Sequence, residues 1–214
     1  MLGKLKKKIQ PVSREKKQKH FYSLYNENET VLDIGVHKES SNSPESANHF
    51  IKTFKYHPSK YTGLGIEDMT YVNKKYPNMK FVQYPGGTFP FKDKQFDWAY
   101  SNAVIEHVGD ISSKINFLNE MNRVSKNVFF TTPNKYFPVD AHTMVWFIHW
   151  KDSLFSKWRK KNNNWWPQER LNLVSMKELK HLLEECKIKH YKIVKNKFLG
   201  LTMTFTVVIS ENVS

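Results

Sequence analysis

From Thr30 onward, short apolar runs alternate with segments whose apolar positions recur at three- and four-residue intervals. Thr30-Val-Leu-Asp-Ile34 closes on Gly35, the pattern of a buried parallel strand entering a turn. Ser46 to Phe54 reads as a helix. Tyr61 to Ile66 reads as a second strand that stops at two acids, Glu67 and Asp68, and Met69 to Tyr76 as a short helix ended by Pro77. Lys80-Phe-Val82 and Phe96-Asp-Trp-Ala-Tyr-Ser101 predict a third and a fourth strand, with Asp97 at the entrance of the latter. Asp110 suits an N-cap, because its side-chain oxygen reaches the first free N–H groups of a helix. In that helix Ile111, Ile115, Leu118 and Met121 share one face, which Val124 closes. Val128-Phe-Phe-Thr-Thr132 predicts a fifth strand, and Ser175 and Glu178 have capping-box spacing ahead of Leu179, Leu182 and Leu183. Two last strands, Tyr191 to Val194 and Met203 to Ile209, join through Phe198-Leu-Gly200. Alternating β and α segments followed by a strand pair predict an α/β fold with a doubly wound sheet and an antiparallel edge.

Two stretches fall outside that alternation. Residues 1–28 form a basic, polar arm in which Lys4, Lys6, Lys7, Lys8, Arg14, Lys16, Lys17 and Lys19 sit among few apolar groups. The arm reads either as a solvated helix or tail, or as a tether to anionic lipid or phosphate. Residues 29–214 then form one domain, with a lid-like insertion at about 133–172 that lacks strand character and holds five of the six tryptophans. A connection of that length within one domain is more often a functional lid than a plain loop.

Composition narrows the function classes. The 214 residues suffice for one α/β domain, and 34 Lys+Arg against 20 Asp+Glu give a net charge of +14. Such an excess suits an acidic partner: nucleic acid, an anionic membrane surface or a phosphorylated substrate. The single cysteine, Cys186, excludes an internal disulfide and a cysteine metal cluster, which fits a reducing, cytoplasmic setting. The most apolar short stretch, Met144-Val-Trp-Phe-Ile148, is too short to cross a bilayer, so a soluble or peripherally bound protein is expected. Peripheral contact would run through the basic arm.

In a doubly wound sheet, ligands bind at the carboxyl ends of the strands, beside the switch in strand order. Three predicted strand ends carry suitable chemistry. At the first, Gly35 lets backbone approach a ligand and Asp33 can accept bonds from an amine or from nearby N–H groups. At the second, Glu67 or Asp68 can accept both hydroxyls of a ribose. At the third lie Ser101 and Asn102. Each is weak alone; their order at successive strand ends is the stronger signal.

The runs Val31-Leu-Asp-Ile-Gly35, Gly63-Leu-Gly-Ile-Glu67, Phe89-Pro-Phe-Lys-Asp-Lys-Gln-Phe-Asp97 and Ser101-Asn-Ala-Val-Ile-Glu-His-Val108 together resemble the class I S-adenosylmethionine (SAM)-dependent methyltransferases. With Thr131-Thr-Pro-Asn-Lys-Tyr-Phe-Pro-Val139, they are similar to the small bacterial methyltransferases (methyltransferase type 11-like) associated with surface-polysaccharide biosynthesis. The resemblance covers roughly residues 30–210. It implies a Rossmann-like, doubly wound seven-stranded sheet, mostly parallel with an antiparallel C-terminal strand pair. It also implies SAM as cofactor. By position, Asp33, Gly35 and Val36 would border the methionine part of SAM, Glu67, with Asp68 beside it, would hold the ribose hydroxyls, Pro85-Gly86 would lie along the adenine, and Ser101-Asn102 would form the floor near the sulfonium. Two departures stand out. Gly35-Val-His-Lys-Glu39 replaces the usual Gly-x-Gly, and Pro85 stands where an Asp normally meets the adenine amine.

Methyl transfer to a hydroxyl benefits from a general base, for which histidine is the natural side chain near neutral pH. His142, beside Asp140, and His107 are the catalytic candidates. His149 is expected to pack among Trp146, Phe147 and Trp150, and His37 and Lys38 to lie in a solvated loop. Trp146, Trp150, Trp158, Trp165 and Trp166, with Lys157, Arg159, Lys160 and Lys161, make a basic-aromatic patch suited to a nucleotide-linked, phosphorylated or lipid-linked acceptor. No metal is expected, since no histidine pair stands at ligand spacing with a carboxylate partner. The function expected is therefore methyl transfer from SAM to a small-molecule or glycan-type acceptor at oxygen. The alternatives are a nucleic-acid methyltransferase and a non-catalytic binding protein of the same fold. The former is disfavoured because Ser101-Asn-Ala-Val replaces the Asn/Asp-Pro-Pro-aromatic tetrapeptide of amino-methylating nucleic-acid enzymes.

Overall fold

Successive residues of a strand face opposite sides of a sheet, so a strand buried on both sides must be apolar throughout. β1 (Val31–Ile34) follows that rule at every position but Asp33. In a computed structural model, which describes residues 2–40, 48–162 and 171–212, all four of its residues are buried. Six further strands join it: β2 (Tyr61–Gly65), β3 (Lys80–Gln83), β4 (Phe96–Asn102), β5 (Ser125–Pro133), β6 (Tyr191–Phe198) and β7 (Leu201–Ile209). The sheet order is β3-β2-β1-β4-β5-β7-β6. The first five strands pair in parallel, and β7 lies antiparallel to both β5 and β6. This is the predicted seven-stranded, mostly parallel sheet with an antiparallel C-terminal pair.

The alternation divides the core between two faces. Leu32, Ala99, Phe130 and Val207 pack against α4 (Ile111–Val124) and α6 (Met176–Glu185), through Leu118, Met121, Leu179 and Leu183. Val31, Trp98, Phe129 and Val208 face the opposite way, toward α1 (Leu2–Tyr22), α2 (His49–Lys52) and α3 (Thr70–Lys75). The predicted caps form. Asp110 accepts from the Ser113 N–H at 2.9 Å, and Ser175 and Glu178 make the reciprocal capping box.

The N-terminal segment is where the structure departs from the sequence reading. Residues 1–28 were expected to lie outside the domain as a basic arm. Most of that segment is helix α1, and the C-terminal half of the helix belongs to the core. Phe21 is fully buried and sits edge-on to Trp98, Tyr100 and Phe129. Burying such a side chain contributes about 1.5–3 kcal/mol, enough to dock an otherwise polar helix. Gln18 and Tyr22 add bonds to Thr53 at 2.6 and 3.1 Å.

The segment after β5 has its own small core. After β5, a bridge joins Val139 to Trp146, and a short 3-10 turn, Ile148–Trp150, leads into α5 (Asp152–Lys161). Val145, Phe155 and Leu171 are buried together, with Ile148, Trp158 and Leu173 packed on them. Arg159 does not join a surface patch: it is buried over the Phe155 ring and donates to the Leu171 carbonyl at 3.1 Å. Trp165 and Trp166 lie outside the described residues. No described helix is long and apolar enough to cross a membrane.

Candidate active site

Strand order reverses between β1 and β4, so the connections leaving their carboxyl ends diverge and open a crevice there. A cleft of about 520 Å³ occupies it, a size suited to a small ligand. Asp33, Gly35 and Asn102 line one part. Pro133, Asn134, Phe137, Asp140 and His142 line another, and Ser13, Arg14 and Lys17 of α1 close it from above.

Glycine is required at two places in this crevice. Gly35 has φ +100°, and a Cβ on it would stand 2.3 Å from Val104 Cγ2. A Cβ on Gly65 would meet the Val36 carbonyl oxygen at 2.1 Å, because the loop after β1 lies against the end of β2. Gly35 and Val36 both donate backbone bonds to the Leu64 carbonyl, at 2.9 and 3.1 Å. A second set of contacts holds the same loop. The buried Glu39 carboxylate pairs with Lys75 at 2.7 Å and Lys52 at 3.6 Å and accepts from Asn48 at 3.0 Å.

Asp33, at the end of β1, is a buried acid lining the cleft. Its carboxylate accepts from the Tyr61 hydroxyl at 2.6 Å, and burial raises its pKa to about 7 against the opposing pull of that bond. A buried carboxylate with one neutral donor is a site for a cation. Lys17 is the counterpart. It is buried, no carboxylate lies within ion-pair distance of it among the described residues, and burial lowers its pKa to about 8 against the attraction of Glu106. This donor set fits the zwitterionic methionine end of SAM, which carries an ammonium and a carboxylate.

The remaining cofactor candidates are divided. Asn102 lines the cleft and accepts from Thr131 Oγ1 at 2.8 Å. Ser101 is buried directly behind it, with Oγ lacking a hydrogen-bond partner. Ala103 follows at φ +59°, a conformation that turns the chain sharply away from the strand end. Glu67 stands outside the cleft lining and is half-buried. It accepts from the Lys38 N–H at 3.0 Å and lies 3.4 Å from His37 Nδ1; both loop residues are exposed, as expected, while bonded to it. Asp68 accepts from the Thr70 N–H and hydroxyl at 2.9 and 2.6 Å, which is turn-forming work at the start of α3. Gly86, at φ +97°, sits in an exposed turn after β3 with nothing near its Cβ position.

At the other end, His142 Nδ1 stands 3.0 Å from Asp140 Oδ1. Asp140 is buried and also accepts from the Thr143 N–H at 2.8 Å. Burial opposes its charge, but its bonds to His142 and Thr143 prevail and hold its carboxyl well below the usual range. An ionised Asp140 can only accept, so Nδ1 carries the proton in this bond. His107 packs edge-on against His142, with ring centroids 4.9 Å apart. His149 is buried, with its ring near Phe155 and Nε2 2.8 Å from the Phe137 carbonyl, to which Trp150 Nε1 also donates at 3.2 Å.

Sequence reasoning missed Arg14, Lys17 and Glu106. The first two had a signal: Arg14, Lys17, Phe21 and Tyr25 follow at three- and four-residue spacing, one face of a helix. Glu106 was quoted within a motif and given no role, yet it is the most buried acid of the site.

Residues 47–128 match the family model described as a methyltransferase domain. No curated protein matches the chain. Among solved structures, a SAM-dependent methyltransferase from Methanosarcina mazei superposes with a TM-score of 0.59 at 16% identity, over 88% of this chain and 94% of that one. A SAM-dependent methyltransferase from Aquifex aeolicus gives 0.55 at 16% identity, over 90% and 88%. A Thermotoga maritima protein described as a SAM-dependent methyltransferase, possible histamine N-methyltransferase, gives 0.58 at 13%, over 92% and 88%. The chain has the SAM-dependent methyltransferase fold, and that fold together with the matched domain supports a SAM-dependent methyltransferase with S-adenosylmethionine as its implied cofactor.

Proposed function

We propose that this protein transfers the methyl group of SAM to an oxygen of a small-molecule or glycan-type acceptor. The observation that carries the reading is one cleft with a buried carboxylate, Asp33, at one end and the Asp140–His142 pair at the other. When bound, SAM supplies an electrophilic methyl group on a sulfonium. Asp33 would accept from its ammonium, Lys17 and Arg14 would meet its carboxylate, and Gly35 and Val36 would give backbone room beside it. Asn102 and Ser101 would form the floor, Glu67 would take the ribose hydroxyls once released from Lys38, and Gly86 would border the adenine. Asp68, engaged with Thr70, would assist only by shaping the turn beside Glu67. His142 Nε2, with His107 beside it, would receive the acceptor's hydroxyl proton, and Asp140 would stabilise the imidazolium. In-line displacement depends on positioning, which the insertion would improve by closing over the cleft.

The rim supports a glycan-type acceptor. Tyr136, Trp146, Phe147 and Trp150 are exposed on the insertion, with Tyr136 and Phe147 edge-on to Trp150. Exposed Lys157, Lys160 and Lys161 on α5 favour a phosphorylated or lipid-linked form of such an acceptor, as in surface-polysaccharide assembly in the cytoplasm. Calorimetric titration with SAM and S-adenosylhomocysteine tests the core of the reading. Binding is expected, and Glu67→Ala is expected to weaken it by about 1.5–3 kcal/mol, the scale of charge-assisted bonds. Absence of binding at about 1 mM, an affinity scale of only some 4 kcal/mol, would leave a non-catalytic protein of this fold.

A further inference from the structure

Glu106 has no part in the proton transfer just described, yet its burial demands a partner. Its side chain is fully buried, Oε2 accepts from Thr132 Oγ1 at 3.2 Å, and Oε1 has no hydrogen-bond partner. Lys17 and Lys114 attract it through space, but among the described residues neither lies within ion-pair distance, and the Lys114 ammonium donates to the Asn172 carbonyl at 2.9 Å. A buried carboxylate with an unmet oxygen is stable only beside a cation. The group facing Oε1 is His142 Nε2, at 3.9 Å. That is too long for a hydrogen bond. It is close to the separation of two ligands on one ion, given metal–ligand bonds of about 2.0–2.2 Å. His107 completes the set: one ligand atom from each of Glu106, His107 and His142 lies within 4.8 Å of the others.

We propose that Glu106, His107 and His142 bind one divalent transition-metal ion in the wall of the cleft. Two imidazoles and one carboxylate select a borderline ion of the zinc, manganese, iron or cobalt type over the oxygen-seeking magnesium and calcium. Asp140 supplies the outer support that such sites use. Its bond fixes the His142 tautomer so that Nε2 is directed toward Glu106. Three protein ligands leave positions open. On the hydroxyl-acceptor reading above, one open position takes the acceptor oxygen and lowers its pKa, with the released proton passing to water. With the ion bound His142 is a ligand and water takes the proton; the proton-acceptor role given to it above applies to the metal-free site. Sequence spacing offered no ligand set, because His107 follows β4 and His142 lies in the insertion after β5; only the fold joins them.

The test uses the full chain stripped of metal, without SAM or acceptor. Co2+ titration followed by visible absorbance, and Zn2+ titration by calorimetry, are expected to give one tight site per chain and little response to Mg2+. His107→Ala and His142→Ala should each weaken Co2+ binding by more than about 100-fold, and Asp140→Asn by about 10-fold. His57→Ala, an exposed control, should leave it unchanged. Thermal melts and retained SAM affinity would establish that the variants fold. No Co2+ uptake at about 1 mM, or uptake insensitive to both histidine variants, overturns the site. Metal uptake without SAM binding would retain the site and remove the methyltransferase reading, so the two failures are distinct.

Discussion

Asp33 and Lys17 hold opposite charges at one cleft, and burial pushes both toward neutrality. The folded chain keeps the Asp33 proton up to about pH 7, whereas the unfolded chain releases it near 3.8. Across that window the folded state binds more protons, so the ligand-free protein loses stability as pH rises through it. Lys17 acts in the opposite sense. The unfolded chain keeps its proton to 10.5 and the folded chain only to about 8, so stability rises with pH between those values. Asp33→Asn is expected to remove the decline below pH 7 while weakening SAM binding, checked by thermal melts across pH and by calorimetry. On the proposed binding mode, in which Asp33 is ionised and Lys17 charged, SAM affinity should peak between about pH 7 and about pH 8. An affinity flat from pH 6 to 9 would show that neither group contacts the cofactor.

Among the elements, α1 changes the picture most. A basic helix docked by Phe21, Tyr22 and Gln18 brings Arg14 and Lys17 over the cleft, so its packing and the lining of the cleft depend on each other. Phe21→Ala is expected to cost about 3–5 kcal/mol in denaturant unfolding, since it leaves a cavity among Trp98, Tyr100 and Phe129. It should also weaken SAM binding, because Lys17 lies one helical turn away on the same face. The strands were far more legible than this helix. The strands were readable because their apolar and aromatic residues are clustered in short runs bounded by turn residues. In α1 the apolar signal is sparse, with Phe21 and Tyr22 following a run of lysines, and only the tertiary fold supplies their partners.

At the scale of the whole molecule, the net charge of +14 and the exposed aromatic rim belong together. Trp146 and Phe147 are about half exposed, which suits contact with a partner that offers apolar surface. We expect the protein to associate with vesicles rich in anionic lipid at low salt and to release as salt shortens the screening length to about 8 Å and below. Co-sedimentation at rising salt checks this. Equal binding to zwitterionic vesicles would assign the contact to the aromatics alone.

The sequence by itself determined the strand order along the chain, the caps at Asp110 and Ser175, and the crevice at Asp33, Gly35 and Asn102. Those features are local: periodicity, turn chemistry and the end of a strand are written in neighbouring residues. Tertiary structure decided the rest. It tied Glu67 and Asp68 to backbone near them, buried Arg159, and brought α1 over the cleft. It also gathered Glu106, His107 and His142 from two crossovers into one cluster. Such groupings depend on which strand ends lie side by side and on which acids are left without water, and a one-dimensional pattern of polar and apolar positions does not contain that information.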